Sequence, residues 1–478
     1  MVKQEKMTNY RWMICAMLFF ATTVNYLDRQ VLSLTWPGFI GPEFGWTNDD
    51  YGTITSWFSL LYAGCMLFAG RLVDHLDTKK GFLWAIGIWS FGACIHAFCG
   101  IATAKVVAGV WIFSFEGAKD LIKTVGDVGK VVNISVMFFL VARFVLALGE
   151  AGNFPAAIKA TAEFFPKKDR GFSTSIFNSG ATIGAMIAPF CIIKLAEAWG
   201  WESSFIIIGL LGFIWMGFWV FVYKKPELHP KINEAELIYI QQDKHEEIET
   251  KDAKGEIKKL SFIDCFKFKQ TWAFAFGKFM TDGVWWFYLF WMPKYLQSSF
   301  NLTGSQQILP LTILYTIVML SIIGGWLPTY FIEKKGMNPY AGRMKSMLIF
   351  AFFPLLALVA QPLGNYTYWL PVVIIGIAGA AHQAWSANIF STVSDMFPKA
   401  AIATVTGIGG MAGGIGSYII NKSSGKLFDH AGSKGMEFLG FKGEPAGYFI
   451  VFIVCAVAYL IGWLVMKTLV PKYKMITV

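Results

Sequence analysis

Gly70-Arg-Leu-Val-Asp-His-Leu-Asp-Thr-Lys-Lys-Gly81 returns later in the chain as Gly325-Trp-Leu-Pro-Thr-Tyr-Phe-Ile-Glu-Lys-Lys-Gly336, with Gly, Leu, Lys, Lys and Gly aligned without a gap. A second pair behaves the same way: Glu163-Phe-Phe-Pro-Lys167 and Asp395-Met-Phe-Pro-Lys399 share acid, Phe, Pro and Lys. Each string closes a long apolar stretch, and the two members of each pair fall at corresponding places in the first and second halves. Short Gly/Lys strings do match by chance. Two matches at the same offset from their apolar stretches argue instead for a duplicated architecture.

What is duplicated follows from composition. The 478 residues are 55% hydrophobic and only 15% charged, against about 25% charged in a soluble domain. Stretches of about 18 or more apolar residues, each long enough to cross a bilayer, recur roughly at 12–34, 51–73, 82–103, 134–162, 172–197, 204–223, 271–297, 307–332, 344–362, 367–395, 401–421 and 446–468. The expected fold is an all-α membrane protein of twelve transmembrane helices in two pseudo-symmetric six-helix bundles. Parallel repeats of this kind are one plan for transporters, with the binding site between the halves near the midplane.

The net charge of +10 does not indicate nucleic acid, because Lys and Arg sit in short loops between apolar spans. One set of loops holds Lys3, Lys6 and Arg11, then Lys79 and Lys80, Lys167, Lys168 and Arg170, Lys334 and Lys335, and Lys467, Lys472 and Lys474. The opposite set begins with 35–50, which has no Lys or Arg but carries Glu43, Asp49 and Asp50. The excess of positive charge on one side puts both termini in the cytoplasm and makes this a multi-pass inner-membrane protein. Its first span is retained rather than cleaved, since it runs on too long for a signal peptide. The expected organisation is a bundle over 1–223 with an outer insertion near 104–133, a charged cytoplasmic linker over 224–268, and a bundle over 269–478 with an outer insertion near 422–445. Ile238 to Glu249 in the linker is a candidate amphipathic helix. The seven Cys lie mostly inside spans at no metal-like spacing and read as small buried hydrophobes. No cofactor or metal is expected.

An ionisable group in hydrocarbon is costly and marks function by default. Asp28 and Arg29 sit in the first span within Asn25-Tyr-Leu-Asp-Arg-Gln30. Neighbours on a helix point about 100° apart and cannot pair face to face, so they read as two separate tools. Arg29 can hold a carboxylate bidentately, and Asp28 can take up a proton. Arg143 and Glu150 lie seven residues apart on span four, on one side and about 10 Å apart along the axis. Glu150 is a second protonation candidate, and Arg143 can neutralise Asp28 or Glu150 within a charge network. Aligning the repeat sets His382 opposite Glu150, which would turn both toward a central cavity. His382 opens the polar string His382-Gln-Ala-Trp-Ser-Ala-Asn388, where Gln383, Ser386 and Asn388 offer donors and acceptors for hydroxyls and Trp385 a flat face for a sugar ring. The plainer reading of each of these is helix-to-helix glue. Lys278 and Asp282, at i and i+4 on span seven, read as a mutual pair. The run Trp285, Trp286, Phe287, Tyr288 reads mainly as an aromatic belt. Glycines in span eleven and Gly180, Gly184 and Pro189 in span five permit close packing and hinging.

These residues also carry a resemblance. The Gly70 string is similar to the loop motif after the second helix of the major facilitator superfamily, matching at Gly70, Leu72, Asp74 and Lys79 and departing at His75, Asp77 and Thr78. Asn-Tyr-Leu-Asp-Arg at 25–29, Arg-Phe-x-Leu-x-Leu-Gly-Glu-Ala-Gly-Asn-Phe-Pro at 143–155 and Ala-His-Gln-Ala-Trp-Ser-Ala-Asn-Ile-Phe at 381–390 resemble the anion:cation symporter branch of that superfamily. With Ser-Asp-Met-Phe-Pro-Lys at 394–399, the likeness is strongest to bacterial hexuronate transporters. The resemblance implies proton-coupled uptake of galacturonate or glucuronate by alternating access, with Asp28 and Glu150 taking protons. It also implies Arg29 binding the substrate carboxylate, Tyr26 and Tyr62 lining the site with the span-ten string, and Gly70, Asp74 and Lys79 forming a gate; Asn178 on span five is a further candidate for the substrate site. The partners expected are a small anionic sugar, protons and the bilayer, with the chain a monomer and no enzyme. Another organic anion such as an aldonate, or a membrane sensor of sugar acids, are the alternatives.

Overall fold

In lipid every backbone N–H and C=O must be satisfied within the chain, so an apolar run of about 20 residues becomes a helix. The computed structural model describes residues 6–242, 262–397 and 399–476. The described residues form twelve helical passes. Spans 1 to 6 are Tyr10–Thr35, Asn48–Leu76, Thr78–Ala97 continued by Cys99–Ala108, Val128–Glu150 continued by Asn153–Phe164, Lys167–Trp199 and Trp201–Val222. Spans 7 to 12 are Lys269–Phe300, Gly304–Lys334 in short helical pieces, Pro339–Gly364, Trp369–Met396, Lys399–Lys434 and Glu444–Leu469. Twelve passes bring both termini to one face, here called the termini face; the other is the distal face.

The passes differ in what surrounds them. Eight are long and apolar enough to cross a membrane by length and composition, and span 3, bent by 49° between its two helices, makes a ninth. Spans 1, 7 and 11 complete the twelve but are less apolar. Span 1 buries Asn25, Asp28, Arg29 and Gln30; span 7 buries Lys278; span 11 buries Ser417, Asn421 and Ser424. Their solvent is largely other helices, which leaves room for polar side chains.

Small residues set the closest approaches. A Cβ on Gly149 of span 4 would lie 2.2 Å from the Trp89 backbone nitrogen of span 3, and one on Gly414 of span 11 would lie 2.2 Å from the Ala63 Cβ of span 2. The first contact seats Glu150 against the bundle interior. The second joins the two bundles.

The repeated acids hold equivalent junctions. Glu163, ending span 4, accepts from Thr78 Oγ1 at the start of span 3 (2.5 Å) and from the Tyr223 hydroxyl. Asp395, ending span 10, accepts from Arg343 Nε at the start of span 9 (2.6 Å). The internal match of sequence is thus also a match of bonds.

The linker is anchored where it leaves span 6. Asn9 gives span 1 no side-chain cap. Glu236, on the short helix Glu234–Gln241, accepts from the Tyr10 and Arg11 backbone nitrogens at 3.0 and 3.1 Å, from Thr8 Oγ1 at 2.7 Å and from Arg11 Nη1 at 3.0 Å. A fully buried carboxylate from the linker therefore caps the first helix and complements its dipole. The rest of the expected amphipathic stretch, 243–249, lies outside the described residues.

Both expected insertions contain helix. Span 3 reaches Ala108, and an amphipathic helix, Phe115–Lys123, follows. Span 11 does not stop near 421 but runs to Lys434, followed by a hairpin pairing Glu437–Phe438 with Phe441–Lys442. Its polar extension is helical because Lys422 and Asp429 find partners on span 2, described below.

Candidate functional site

Four residues after Asn25, and one after the bundle-facing Gly149, the chain sets charges into the protein interior. Arg29 and Glu150 meet there: Arg29 Nε and Nη2 donate to Glu150 Oε2 at 3.0 and 2.6 Å, and the two side chains are 3% and 0% exposed. A charge-assisted pair this well buried is strongly held. Aromatic rings box the guanidinium. Its carbon lies 5.0 Å from the Tyr26 ring centroid, 4.7 Å from Tyr62, 4.8 Å from Trp286 and 5.9 Å from Phe58. Trp286 belongs to span 7 and the others to spans 1 and 2, so the box is closed by both bundles.

Around this pair stand buried polar atoms with no hydrogen-bond partner among the described residues. They include both carboxylate oxygens of Asp28, both amide atoms of Asn25 and Asn153, Glu150 Oε1, Nε and Nη1 of Arg143, and Trp89 Nε1. Native interiors leave few such atoms, and each calls for an explanation. So many together, five of them on the charged groups Asp28, Glu150 and Arg143, describe a polar site rather than a packed core. Arg143 rests over Phe58 at 5.1 Å. The charge network expected of Arg143 therefore takes a different form here: Glu150 is matched by Arg29, and Arg143 has no carboxylate within salt-bridge distance among the described residues.

The structure brings Tyr26, Asp28, Arg29, Tyr62, Arg143 and Glu150 together and turns His382, Trp385 and Asn388 into the second bundle. His382 is 3% exposed, bonds through Nδ1 to the Tyr459 hydroxyl at 2.8 Å and stacks parallel on Trp285 at 5.4 Å. Trp385 is fully buried, edge-on to Tyr459. Asn388 Nδ2 donates to the Gly324 and Ala384 carbonyls, each at 2.8 Å. These three bind span 10 to spans 7, 8 and 12, because their helix face points into the second bundle. The flat face expected of Trp385 is covered. Gln383 and Ser386 are half-buried and Asn178 is exposed. Lys79 donates to the Val220 carbonyl at 2.7 Å, inside the first bundle; Gly70 lies within span 2, and the Asp74 side chain lies outside the described ones.

Sequence reasoning missed Trp286, Phe58, Asn25, Asn153 and Trp89. Some signal was available. Asn25 precedes Asp28 by three residues on one helix face, and Asn153 follows Glu150 by three across the break between the two helices of span 4. Nothing local separates Trp286, which meets Arg29, from Trp285, which meets His382.

Comparison with known proteins agrees with this fold. The model of the Major Facilitator Superfamily matches residues 18–420. The chain is 27% identical over 471 residues to the "Hexuronate transporter" of Escherichia coli (strain K12), covering 98% of this chain and 96% of that protein. It is 24% identical over 466 residues to the "Probable galactarate/D-glucarate transporter GarP" of the same strain, covering 95% and 96%. Among solved structures, a bacterial homologue of the human lysosomal transporter Spinster, in an inward-facing and occupied conformation, superposes with a TM-score of 0.66 at 18% identity over 97% of each chain.

Proposed function

The chain belongs to the Major Facilitator Superfamily and is a multi-pass membrane transporter, not an enzyme; from that premise we propose that it takes up anionic sugar acids, hexuronates such as galacturonate or glucuronate, together with protons. The observation that carries this reading is the Arg29–Glu150 pair inside an aromatic box shared by both bundles. Arg29 is the group for a substrate carboxylate, and Glu150 occupies it. A proton on Glu150 discharges the carboxylate and weakens its hold, which frees the guanidinium to take the substrate bidentately. Asp28, beside it with no ion pair among the described residues, accepts a second proton. The half-buried Gln383 and Ser386, with Tyr26 and Tyr62, are the groups available to ring hydroxyls.

In this cycle the bundles rock about the site and open it to each side in turn. Protons moving down their gradient load the site, and the carboxylate follows them. When both leave, Arg29 and Glu150 re-form their pair, which returns the empty carrier. More than one proton with a monoanion makes the step electrogenic. The basic loops argue for an inner-membrane protein with the termini face in the cytoplasm, and the site is complete in one chain, in keeping with a monomer. The names of the two relatives point to the same substrate class.

Proteoliposome uptake of labelled galacturonate under an imposed pH gradient tests the reading. Uptake should rise with the inward proton gradient, and Arg29→Ala should lower it by about two orders of magnitude, the loss of a buried charge-assisted contact of about 3 kcal/mol. Asp28→Asn together with Glu150→Gln should abolish the response to the gradient. Uptake indifferent to the gradient sinks the coupling, and unchanged affinity in Arg29→Ala sinks the carboxylate role.

A further inference from the structure

We propose that Lys278 on span 7 is a second anion subsite, kept occupied by Asp282 until the far carboxylate of a dicarboxylate sugar acid displaces it. The proposal rests on the sugar-acid reading above and extends it to a class carrying a negative group at both ends. Lys278 Nζ lies 2.7 Å from Asp282 Oδ2. Trp286, whose ring is 4.8 Å from the Arg29 guanidinium, is one turn beyond Asp282. Residues four apart on a helix share a face, so Trp286, Asp282 and Lys278 form one stripe. At 1.5 Å per residue, Asp282 is about 6 Å and Lys278 about 12 Å from Trp286 along the axis, toward the termini face.

Three features set this pair apart from a helix-stabilising one. An acid placed N-terminal to a base is the favoured order at this spacing, and here the base comes first. The side chains are only 6% and 13% exposed, and taking two charges out of water gains little over apolar residues of the same size. The surroundings also fit the two charges one by one. A Cβ on Gly413 of span 11 would sit 2.2 Å from Asp282 Oδ2, so glycine leaves the room the carboxylate fills. The Phe390 ring of span 10 lies 4.2 Å from Lys278 Nζ and gives the ammonium a favourable face independent of Asp282.

The pair repeats the logic of Arg29 and Glu150, a cation held by an internal carboxylate that an external one replaces. A monocarboxylate needs one such place. A six-carbon acid with a carboxylate at each end uses both, one end in the aromatic box and the other toward the termini face.

Uptake of labelled galacturonate into proteoliposomes, competed with unlabelled galacturonate or galactarate, tests this. In Asp282→Asn the internal competitor is gone, and galactarate should gain at least fivefold in potency relative to galacturonate. In Lys278→Met the subsite is gone, and galactarate should lose at least tenfold relative to galacturonate, with Lys278→Arg restoring most of the preference. A merely structural pair moves both competitors together in both variants, and that result overturns the proposal. So does a wild-type chain on which galactarate does not compete. A wild-type chain that takes up no galacturonate refutes the sugar-acid reading itself, and the subsite with it.

Discussion

The two faces of this molecule are built on different bonding plans. On the distal face the bonds cross between bundles. Lys422 of span 11 reaches Asp49 Oδ1 and Thr53 Oγ1 of span 2, each at 2.5 Å. Asp429 accepts from the Asn48 backbone nitrogen and Nδ2, each at 2.9 Å, and from the Asp49 backbone nitrogen at 2.7 Å, so one bundle caps a helix of the other. Gln297 donates to the Pro37 carbonyl at 3.1 Å, and Glu197 of span 5 accepts from the Ser305 backbone nitrogen at 2.7 Å. On the termini face, hydrogen bonds between described residues stay within a bundle or its linker. Glu163 holds Thr78, Asp395 holds Arg343, and Tyr239 of the linker donates to Asp169 at 2.8 Å. The difference teaches where this form of the transporter is fastened. Among the described residues, the bundles are pinned together by hydrogen bonds at the distal end, and those of Glu163, Asp395 and Tyr239 at the other end brace each bundle within itself or its linker.

The most drastic way to test that contrast is to make the distal fastening permanent. With the seven native cysteines replaced, a cysteine pair at Asp49 and Lys422 bridged by a short bifunctional thiol reagent should abolish uptake almost completely, while the unbridged pair retains it. Full uptake after bridging would show that the distal face does not open. A milder perturbation is Lys422→Glu, which sets a like charge against Asp49. A partly buried pair is worth about 1 kcal/mol, and its reversal should shift the balance toward distal opening by about tenfold, read as faster thiol labelling of a reporter cysteine between spans 2 and 11. Asp49→Lys in the same chain should restore most of the closure.

The smallest effect expected is a dependence on pH. Burial pushes the Glu43 carboxyl, in the distal loop after span 1, up to about 7, although the Trp201 indole donates to it at 2.7 Å. The folded chain then keeps this proton after the unfolded chain has lost it near 4.5. Its contribution to stability is therefore complete below that value and is lost as pH rises through about 7. Glu43→Gln should flatten the fall in melting temperature between pH 5 and 8, by of order 1 kcal/mol after screening. An unchanged slope would remove Glu43 as its source.

Much of the fold was legible because its signals are local. Apolar runs marked the passes, and even spans 1, 7 and 11, with their interior polar groups, stayed readable because those groups are few. The paired strings located the second bundle relative to the first. The extension of span 11 to Lys434 was not legible, since Lys422 and Asp429 look like loop charges until span 2 supplies their partners. At the site, Asp28, Arg29 and Glu150 announced themselves as charges in an apolar setting. Their pairing did not, because a separation of 121 positions between Arg29 and Glu150 obeys no local rule. Trp285 and Trp286 show the finest limit: a turn of about 100° sends one ring to His382 and the other to Arg29.

Glu236 carries one more consequence, about the order of synthesis. The first helix emerges from the ribosome without its cap, and the carboxylate that completes it is translated only after all six passes of the first bundle. Until then the amide groups of Tyr10 and Arg11 and the Arg11 guanidinium lack the partner they have in the finished protein. The bundle thus finishes its first helix last, and a nascent chain halted before residue 236 should hold its starting segment loosely, open to a protease that leaves the completed protein alone.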